Sequence, residues 1–202
     1  FEDAGLAAAI SDRMLDRVTS DMQNWLDRGL DFGRIAFNAA AAEFRRDNVG
    51  EKILAGLSRM GIDPRLFELE VTETVFLGRG AEYVGRALSI LSKAGVSIAL
   101  DDFGTGYASL SHLKQFPVDI IKIDRSFVRM LEEDAGDEAI IRAVINLGQS
   151  LGIRIVAEGI ETSEQARILF AKGCDYGQGF WFGKAQPAEA IPALIANWAL
   201  KD

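Results

Sequence analysis

The stretch VSIALDD, residues 96–102, is a short apolar run that ends in two aspartates. Gly95 precedes it, and residues 82–93 before this glycine are predicted to be helical. A similar run, IIKID at residues 120–124, also ends in an aspartate. Short strands that are apolar on both faces are typical of a parallel sheet covered by helices. The stretch therefore predicts a strand of such a sheet, with carboxylates at its carboxyl end.

The same pattern extends over nearly the whole chain. Strands are predicted at residues 34–38, 66–72, 96–101, 120–124, 153–158 and 176–182. Helices are predicted at residues 2–28, in the alanine-rich segment up to residue 60, and at 82–93, 137–151, 163–172 and 188–200. Strands that alternate with helices through short connections predict a parallel sheet. Because no linker interrupts the pattern, we expect a single domain over residues 1–202.

Polar residues at the strand ends favour a closed barrel over an open, doubly wound sheet. They are Asn38, Glu68, Glu70, Asp101, Asp102, Lys122, Asp124, Glu158 and Gln178. In a (β/α)8 barrel the carboxyl ends of many strands meet around one mouth, where the active site lies. An open sheet gathers them only at a switch point, usually beside a glycine-rich phosphate loop, and the sequence has no such loop. We therefore predict the α/β class and a TIM-type (β/α)8 barrel.

The number of strands is lower than a barrel requires. A (β/α)8 barrel has eight strands and about 250 residues, whereas this chain has six predicted strands in 202 residues. The sequence also opens directly into a helix. We expect the two remaining strands to lie upstream of Phe1, so that the domain is N-terminally incomplete in this sequence.

The composition excludes several classes of protein. Lys+Arg 22 against Asp+Glu 30 gives a net charge of −8, which argues against a partner that is a nucleic-acid polymer. The single cysteine, Cys174, excludes a disulfide scaffold and fits a reducing compartment. No run approaches the roughly 18 apolar residues of a membrane span. We expect a cytoplasmic domain, which leaves open whether a longer parent protein is membrane-anchored.

The polar strand ends offer a set of oxygen ligands for metal ions, namely Asn38, Glu70, Asp101 and Asp102. Such a set suits Mg²⁺ or Mn²⁺ better than zinc. Two ions about 3.5–4 Å apart stabilise the attacking and leaving oxygens in phosphodiester hydrolysis. Lys122 would orient the attacking water or offset phosphate charge. Glu158 would bind the second ion or accept the proton of that water.

Each of these residues also has a structural interpretation. An aspartate at a strand end is most often a helix cap or a solvated turn residue. Lys122, which alternates with isoleucines, is also consistent with the exposed face of an edge strand. The repetition of the placement on six strands favours a common site over independent caps.

Longer motifs at these positions resemble the EAL family of cyclic di-GMP phosphodiesterases. They are FN at residues 37–38, EVTE at 70–73, DDFGTGY at 101–107, KIDRSF at 122–127, AEGIE at 157–161 and QGF at 178–180. The resemblance runs from Phe1 to about Pro187 in the order of the family. It implies a (β/α)8 barrel that hydrolyses cyclic di-GMP to linear pGpG with two Mg²⁺ or Mn²⁺ ions.

The resemblance also implies a role for each matched residue. Asn38, Glu70, Asp101 and Asp102 would be metal ligands, Lys122 would hold the catalytic water, and Glu158 would be the base or a ligand of the second metal. Asp124, Glu161 and Gln178 would support the site and its substrate. Glu73 would brace the loop of residues 103–109, which in this family links the metal site to dimerisation. The resemblance therefore implies a homodimer through the loop that follows Asp102, and a sensor or other signalling domain upstream.

One departure keeps alternatives open. In the family, the Glu-Ala-Leu strand that gives it its name, and an arginine that follows this strand and contacts substrate phosphate, come before the segment that Phe1 begins, and this sequence contains neither. An enzyme is the leading hypothesis, since the downstream ligands are all present. The alternatives are a non-catalytic cyclic di-GMP receptor and a structural domain whose mouth is idle. We expect an active parent protein, but little turnover from a molecule that begins at Phe1.

Overall fold

The computed structural model describes residues 4–41, 43–45, 48–76, 81–104, 110–131 and 134–198. Six strands form one sheet: β1 (Ile35–Ala39), β2 (Phe67–Thr72), β3 (Ser97–Phe103), β4 (Ile120–Ile123), β5 (Arg154–Ala157) and β6 (Tyr176–Gly177). All neighbours are parallel, and the strands follow one another in chain order from β1 to β6. This order never reverses, so the sheet lacks the switch point of a doubly wound fold. Six consecutive strands of a (β/α)8 barrel have this order, which confirms the predicted fold class.

Eight α-helices occur among the described residues: α1 (Ala4–Asp27), α2 (Val49–Arg59), α3 (Ala81–Ala94), α4 (Leu110–Gln115), α5 (Arg125–Arg129), α6 (Ala135–Leu151), α7 (Ser163–Ala171) and α8 (Ile191–Trp198). The sequence did not predict α4 and α5, because helices of six and five residues are too short to show a helical period. The segment predicted as one alanine-rich helix instead contains a 3₁₀ turn at Glu43–Arg45 followed by α2.

The core lies between the sheet and the helices. The residues of the sheet that face the helices are almost completely buried, for example Leu69, Ile98, Leu100, Ile121 and Ile155. Each buried aliphatic side chain contributes about 1.5–3 kcal/mol, and a slip of one residue would turn it to the other face of the sheet. The opposite face of the sheet, which faces the barrel interior, therefore carries the polar residues in a fixed register.

The last strand is shorter than the predicted run of residues 176–182. Its pairing with β5 ends at Gly177, because the chain then turns, with the Phe182 N–H donating to the Gly179 carbonyl at 3.1 Å. A Cβ at position 179 would lie 2.2 Å from the Ile160 carbonyl oxygen, so this close passage requires glycine. The loops after β5 and β6 are thereby packed backbone to backbone.

The amino end of the sheet contains the same pairing twice. The Asp119 N–H donates to the Ile98 carbonyl, and the Asp119 carboxylate accepts the Ile98 N–H, both at 2.9 Å. Asp175 pairs with Ile155 in the same way, at 3.1 Å and 2.7 Å. In each case a side-chain carboxylate accepts the backbone N–H that a backbone carbonyl of the neighbouring strand would otherwise accept. The hydrogen-bond ladder between the two strands ends at this bond.

Candidate active site

Lys122 is the centre of a group of carboxylates at the carboxyl end of the sheet. Its Nζ lies 2.5 Å from Glu70 Oε1, 2.5 Å from Glu158 Oε1 and 3.5 Å from Asp101 Oδ1. The Lys122 side chain is 2% exposed and that of Glu70 is 4% exposed. The edge-strand interpretation of Lys122 is therefore wrong, since the lysine is buried and ion-paired in the interior of the barrel. We call Glu70, Asp101, Asp102 and Glu158 the acidic cluster.

The strand pattern explains why these side chains converge. In β4, Ile121 and Ile123 point into the apolar core, so Lys122 between them points to the other face. In β2, Leu69 and Val71 are buried on the core side, and Glu70 takes the opposite face for the same reason. Because the aliphatic residues are buried against the helices, the charged residues between them must point into the barrel interior.

A local irregularity brings two consecutive aspartates to one place. Side chains normally alternate between the faces of a strand, which would separate Asp101 from Asp102. The register of β3 shifts between Leu100 and Phe103, and Asp102 adopts φ 55°, in the left-handed region. Aspartate is tolerated there better than most residues. As a result, carboxylate oxygens of Asp101, Asp102 and Glu158 lie within 4.8 Å of one another.

The electrostatics of the site are those of excess negative charge. Burial raises the pKa of Asp102, and the neighbouring charges of Asp101 and Asp124 raise it further. Burial also raises the pKa of Glu158, Lys122 opposes this rise, and the charges of Asp101 and Glu70 add to it, so that the pKa stays above its ordinary value. Burial alone would lower the pKa of Lys122, but Glu70 and Glu158 outweigh it, and the pKa lies above its ordinary value. The lysine therefore stays protonated and compensates only part of the acidic cluster.

Asp124 joins this site from the end of β4. Its carboxylate caps α5 by accepting the Ser126 N–H at 2.9 Å, and it also accepts the Ser126 hydroxyl. Burial raises the pKa of Asp124, but the hydrogen bonds from Ser126 prevail and leave the pKa below its ordinary value. Asp102 shares a hydrogen bond with this carboxylate. The structure thus brings Asp124 next to the acidic cluster, as the sequence predicted.

Residues 1–185 match the family model described as EAL domain. The chain belongs to the EAL domain family. Bifunctional diguanylate cyclase/cyclic di-GMP phosphodiesterase MucR from Pseudomonas aeruginosa is 40% identical over 195 residues, which are 96% of this chain and 28% of MucR. This EAL domain thus spans little more than a quarter of that curated relative.

Solved structures agree with this assignment. A structure described as the PaMucR phosphodiesterase in complex with c-di-GMP is 40% identical, has a TM-score of 0.88 and covers 94% of this chain and 76% of that chain. A manganese/cy-diGMP complex of Klebsiella pneumoniae BlrP1 at pH 6 is 28% identical, has a TM-score of 0.77 and covers 87% of this chain and 44% of that chain. The fold of the EAL domain is therefore that of the known family members.

The donor set of this EAL domain fits a divalent metal ion. Asp101, Asp102 and Glu158 present only carboxylate oxygens, the hard ligands that Mg²⁺, Mn²⁺ and Ca²⁺ prefer. Burial is the main cause of the raised pKa of Asp102 and of Glu158, and neighbouring carboxylates add to it, so a bound cation would favour their ionised forms. Asn38, the other predicted ligand, pairs with Glu70 in the register of β1 and β2, at the same edge of the sheet.

The remaining predicted residues lie on the segments that follow β2, β5 and β6. Glu73 follows β2, is buried, and accepts the Gly104 N–H at 3.1 Å, at the start of the loop that it was predicted to brace. Gln178 follows β6 and lines a cavity of about 850 Å³ together with Glu70 and Lys122. Glu161 is exposed and lies three residues after Glu158. Residues 105–109, through which dimerisation was predicted, lie outside the described residues.

Sequence reasoning missed one buried polar residue next to the site, Gln165. It is 7% exposed and its carboxamide accepts the N–H groups of Glu161 and Thr162. The spacing Thr162-x-x-Gln165 is that of a capping box and could have indicated the bond to Thr162. The bond to Glu161 could not be predicted, because it depends on the path of the loop after β5.

No helix in the described part of the chain combines the length and the apolar character needed to cross a membrane.

Proposed function

We propose that this EAL domain hydrolyses cyclic di-GMP to linear pGpG with the help of two Mg²⁺ or Mn²⁺ ions, and thereby lowers the level of the messenger in bacterial signalling. The observation that carries the proposal is the convergence of the acidic cluster on the buried ammonium of Lys122. The descriptions of MucR and of the BlrP1 complex support it, since they name cyclic di-GMP and manganese.

The carboxylates would hold the ions, with Asp101, Asp102 and Glu158 closest together and Glu70 and Asn38 beside them. When bound, the ions supply Lewis-acid activation of the phosphodiester and of the attacking water. Lys122 Nζ orients that water and offsets charge on the phosphate oxygens. These roles explain why a lysine is kept ionised in a buried position.

The hydrolysis transfers one proton and breaks one bond. The water oxygen forms a bond to phosphorus, the bond between phosphorus and the 3′ oxygen of the ribose breaks, and that oxygen gains one proton in exchange for the one that the water loses. Glu158 accepts the proton of the water, a role suited to a carboxylate whose pKa is raised by burial. Asp124, Glu161 and Gln178 support the substrate, and Glu73 holds the start of the loop after Asp102.

The setting of the domain is part of the proposal. Since the chain spans about a quarter of its curated relatives, we infer a larger signalling protein in which a sensor domain precedes it. We place the domain in the cytoplasm, which a single, buried cysteine fits, and we propose a homodimer formed through the loop after Asp102.

The test is hydrolysis of cyclic di-GMP with Mn²⁺, followed by chromatography. It uses this chain, a version extended upstream by two further βα units of its parent protein, and Glu158→Ala in both. The proposal is supported if a version forms pGpG and its Glu158→Ala variant does not. Binding of the nucleotide by the extended version without cleavage would replace the enzyme by a receptor, and absence of binding by either version would reject both.

A further inference from the structure

Gln165 makes more hydrogen bonds than a helix cap requires. It lies in the first turn of α7, where its Oε1 accepts the Thr162 N–H at 3.2 Å and completes a capping box. The same oxygen accepts the Glu161 N–H at 2.9 Å. Its Nε2 donates to the carbonyl of Val128 at 3.4 Å, in a buried position. The bonds to Glu161 and Val128 contribute nothing to the cap itself.

These two bonds connect segments that carry predicted site residues. Val128 belongs to α5, the helix that Asp124 caps. Glu161 ends the loop that begins at Glu158, whose own N–H donates to the Ile123 carbonyl at 3.1 Å. One buried carboxamide therefore joins the loop after β5 to the helix after β4. Removal of this amide is costly above all at Val128, whose carbonyl loses its bond in a buried place, whereas the bonds to Glu161 and Thr162 are partly buried.

The loop between Glu158 and Glu161 is confined on its other sides as well. A Cβ at Gly159, which has φ 69°, would lie 2.5 Å from Arg125 Cβ, so the loop crosses the start of α5 at van der Waals contact. Ile160 exchanges backbone hydrogen bonds at 3.0 Å with Gln178 and Trp181 in the loop after β6. Gln165 supplies the remaining constraint, at the end of the loop where Glu161 lies.

We propose that Gln165 is a positioning residue, which fixes the loop of Glu158 and Glu161 against α5 and thereby sets the place of these two carboxylates. The proposal rests on the proposed function and assigns no contact with substrate to Gln165. A displacement of about 1 Å in a catalytic group can reduce turnover by up to a hundredfold, so loss of this constraint reaches the chemistry through geometry.

Three variants separate positioning from stability. Gln165→Met keeps the length of the side chain and removes all its hydrogen bonds. Gln165→Glu retains an acceptor for the Glu161 N–H. Thr162→Ala removes the other half of the capping box, in which the Thr162 hydroxyl accepts the Gln165 N–H at 3.1 Å, and leaves the Gln165 side chain intact. Thr162→Ala is the stability control, because it also removes a capping bond of α7 but leaves the Gln165 side chain in place.

The first readout is amide hydrogen exchange of Glu161, measured by NMR on the full chain. We expect faster exchange of Glu161 in Gln165→Met, restored protection in Gln165→Glu, and protection as in the unmutated chain in Thr162→Ala. The Ile160 amide, which donates to Gln178, should stay protected throughout. Unchanged exchange of Glu161 in Gln165→Met would overturn the proposal, whether or not the chain hydrolyses cyclic di-GMP.

The second readout is the rate of pGpG formation by the version that turns over. We expect Gln165→Met to lose about tenfold in kcat and Thr162→Ala to stay within about twofold. Equal losses of kcat in both variants would reduce Gln165 to a stabilising residue. If the unmutated protein makes no pGpG at all, the proposed function fails, and the exchange of Glu161 alone decides the role of Gln165.

Discussion

At the amino end of the sheet, Asp119 and Asp175 each accept a backbone N–H from the neighbouring strand, whereas at the carboxyl end the acidic cluster converges on the ammonium of Lys122. The carboxylates of the carboxyl end are buried or half-buried, whereas at the amino end Asp119 is half-buried and Asp175 is exposed. The aspartates of the amino end extend the hydrogen-bond ladder, because their carboxylates accept backbone N–H groups of the sheet. The carboxylates of the carboxyl end face one another and one lysine.

The difference indicates how to recognise chemistry in this protein. A carboxylate that a backbone amide satisfies lowers the free energy of the folded state. Carboxylates that are buried beside one another raise it: burial is the main cause of the raised pKa of Asp102 and of Glu158, and the neighbouring carboxylates add to it. The fold retains such a cluster only where another contribution, here Lys122 and the proposed metal ions, offsets the repulsion.

The largest effect is expected from Lys122→Met, which removes the cation from the centre of the carboxyl end. Glu70 is buried and would lose its 2.5 Å partner, so we expect a loss of about 3–5 kcal/mol in the free energy of unfolding. Chemical denaturation without divalent ions measures it. The exposed Lys93→Met is the control and should stay within about 0.5 kcal/mol. If Lys122→Met were as stable as the unmutated protein, the carboxylates of the carboxyl end would not depend on the lysine for their stability, and the contrast with the amino end would be lost.

Glu158→Gln should act on turnover and spare stability. The amide keeps the shape of the side chain and an oxygen for Lys122, but it cannot accept a proton, so pGpG formation should fall by about 10²–10⁴-fold. Since burial disfavours the charge of Glu158, the Tm should stay constant or rise. Glu164→Gln, at an exposed ion pair with Arg167, is the matched control. Turnover at the rate of the unmutated protein would remove Glu158 from the mechanism.

At the amino end the opposite pattern is expected. Asp119→Ala or Asp175→Ala leaves the N–H of Ile98 or Ile155 without its acceptor and should cost about 1–3 kcal/mol of unfolding free energy. The rate of pGpG formation per folded molecule should not change. Asp175→Asn keeps an acceptor oxygen and should recover most of the loss. If Asp119→Ala or Asp175→Ala kept the Tm and lost turnover, the carboxylates of the amino end would also serve catalysis, and this account of the two ends would be wrong.

The smallest effect is a dependence of stability on pH at Asp102. Its pKa is raised above the ordinary 3.8, so the folded state disfavours the ionised form. This penalty is present above the folded pKa and absent below the ordinary value, where the carboxyl is protonated in both states. Asp102→Asn should therefore raise the Tm at about pH 7.5, and the gain should vanish toward about pH 4.

Asp124→Asn is the matched control for this titration. The pKa of Asp124 is lowered by its bonds with Ser126, so its ionised form stabilises the fold and the substitution should lower the Tm at neutral pH. Melting curves without divalent ions at several pH values measure both variants. Equal signs for Asp102→Asn and Asp124→Asn at neutral pH would contradict the electrostatic account of the site.

Much of the sheet was predictable because its signal is local. The apolar run and the alternation in LFELEVT, residues 66–72, define both β2 and the face on which Glu70 lies. The same reasoning placed Lys122 at the mouth. It could not show that Lys122 lies in contact with Glu70 and Glu158, since these residues come from β4, β2 and the loop after β5 and meet only through the arrangement of the strands.

Other features depend on contacts that no local pattern contains. The left-handed conformation of Asp102 follows from the register shift in β3. The early end of β6 follows from the close passage of Gly179 over Ile160. The bonds of Gln165 follow from the meeting of the loop after β5 with α5, whose Val128 lies 37 residues away in the sequence. In each case the deciding partner is distant in the chain, so the local sequence predicted a regular strand or an ordinary helix cap.

Lys122 also allows folding of the protein to be independent of metal binding. Domains whose metal is the sole counter-charge of their ligands, such as zinc fingers, stay unfolded until the ion arrives. Here a cation is covalently part of the chain and is present from synthesis onward, already paired with Glu70 and Glu158. We therefore expect the fold to form without divalent ions, and the ions of the proposed function to bind to a domain that is already folded.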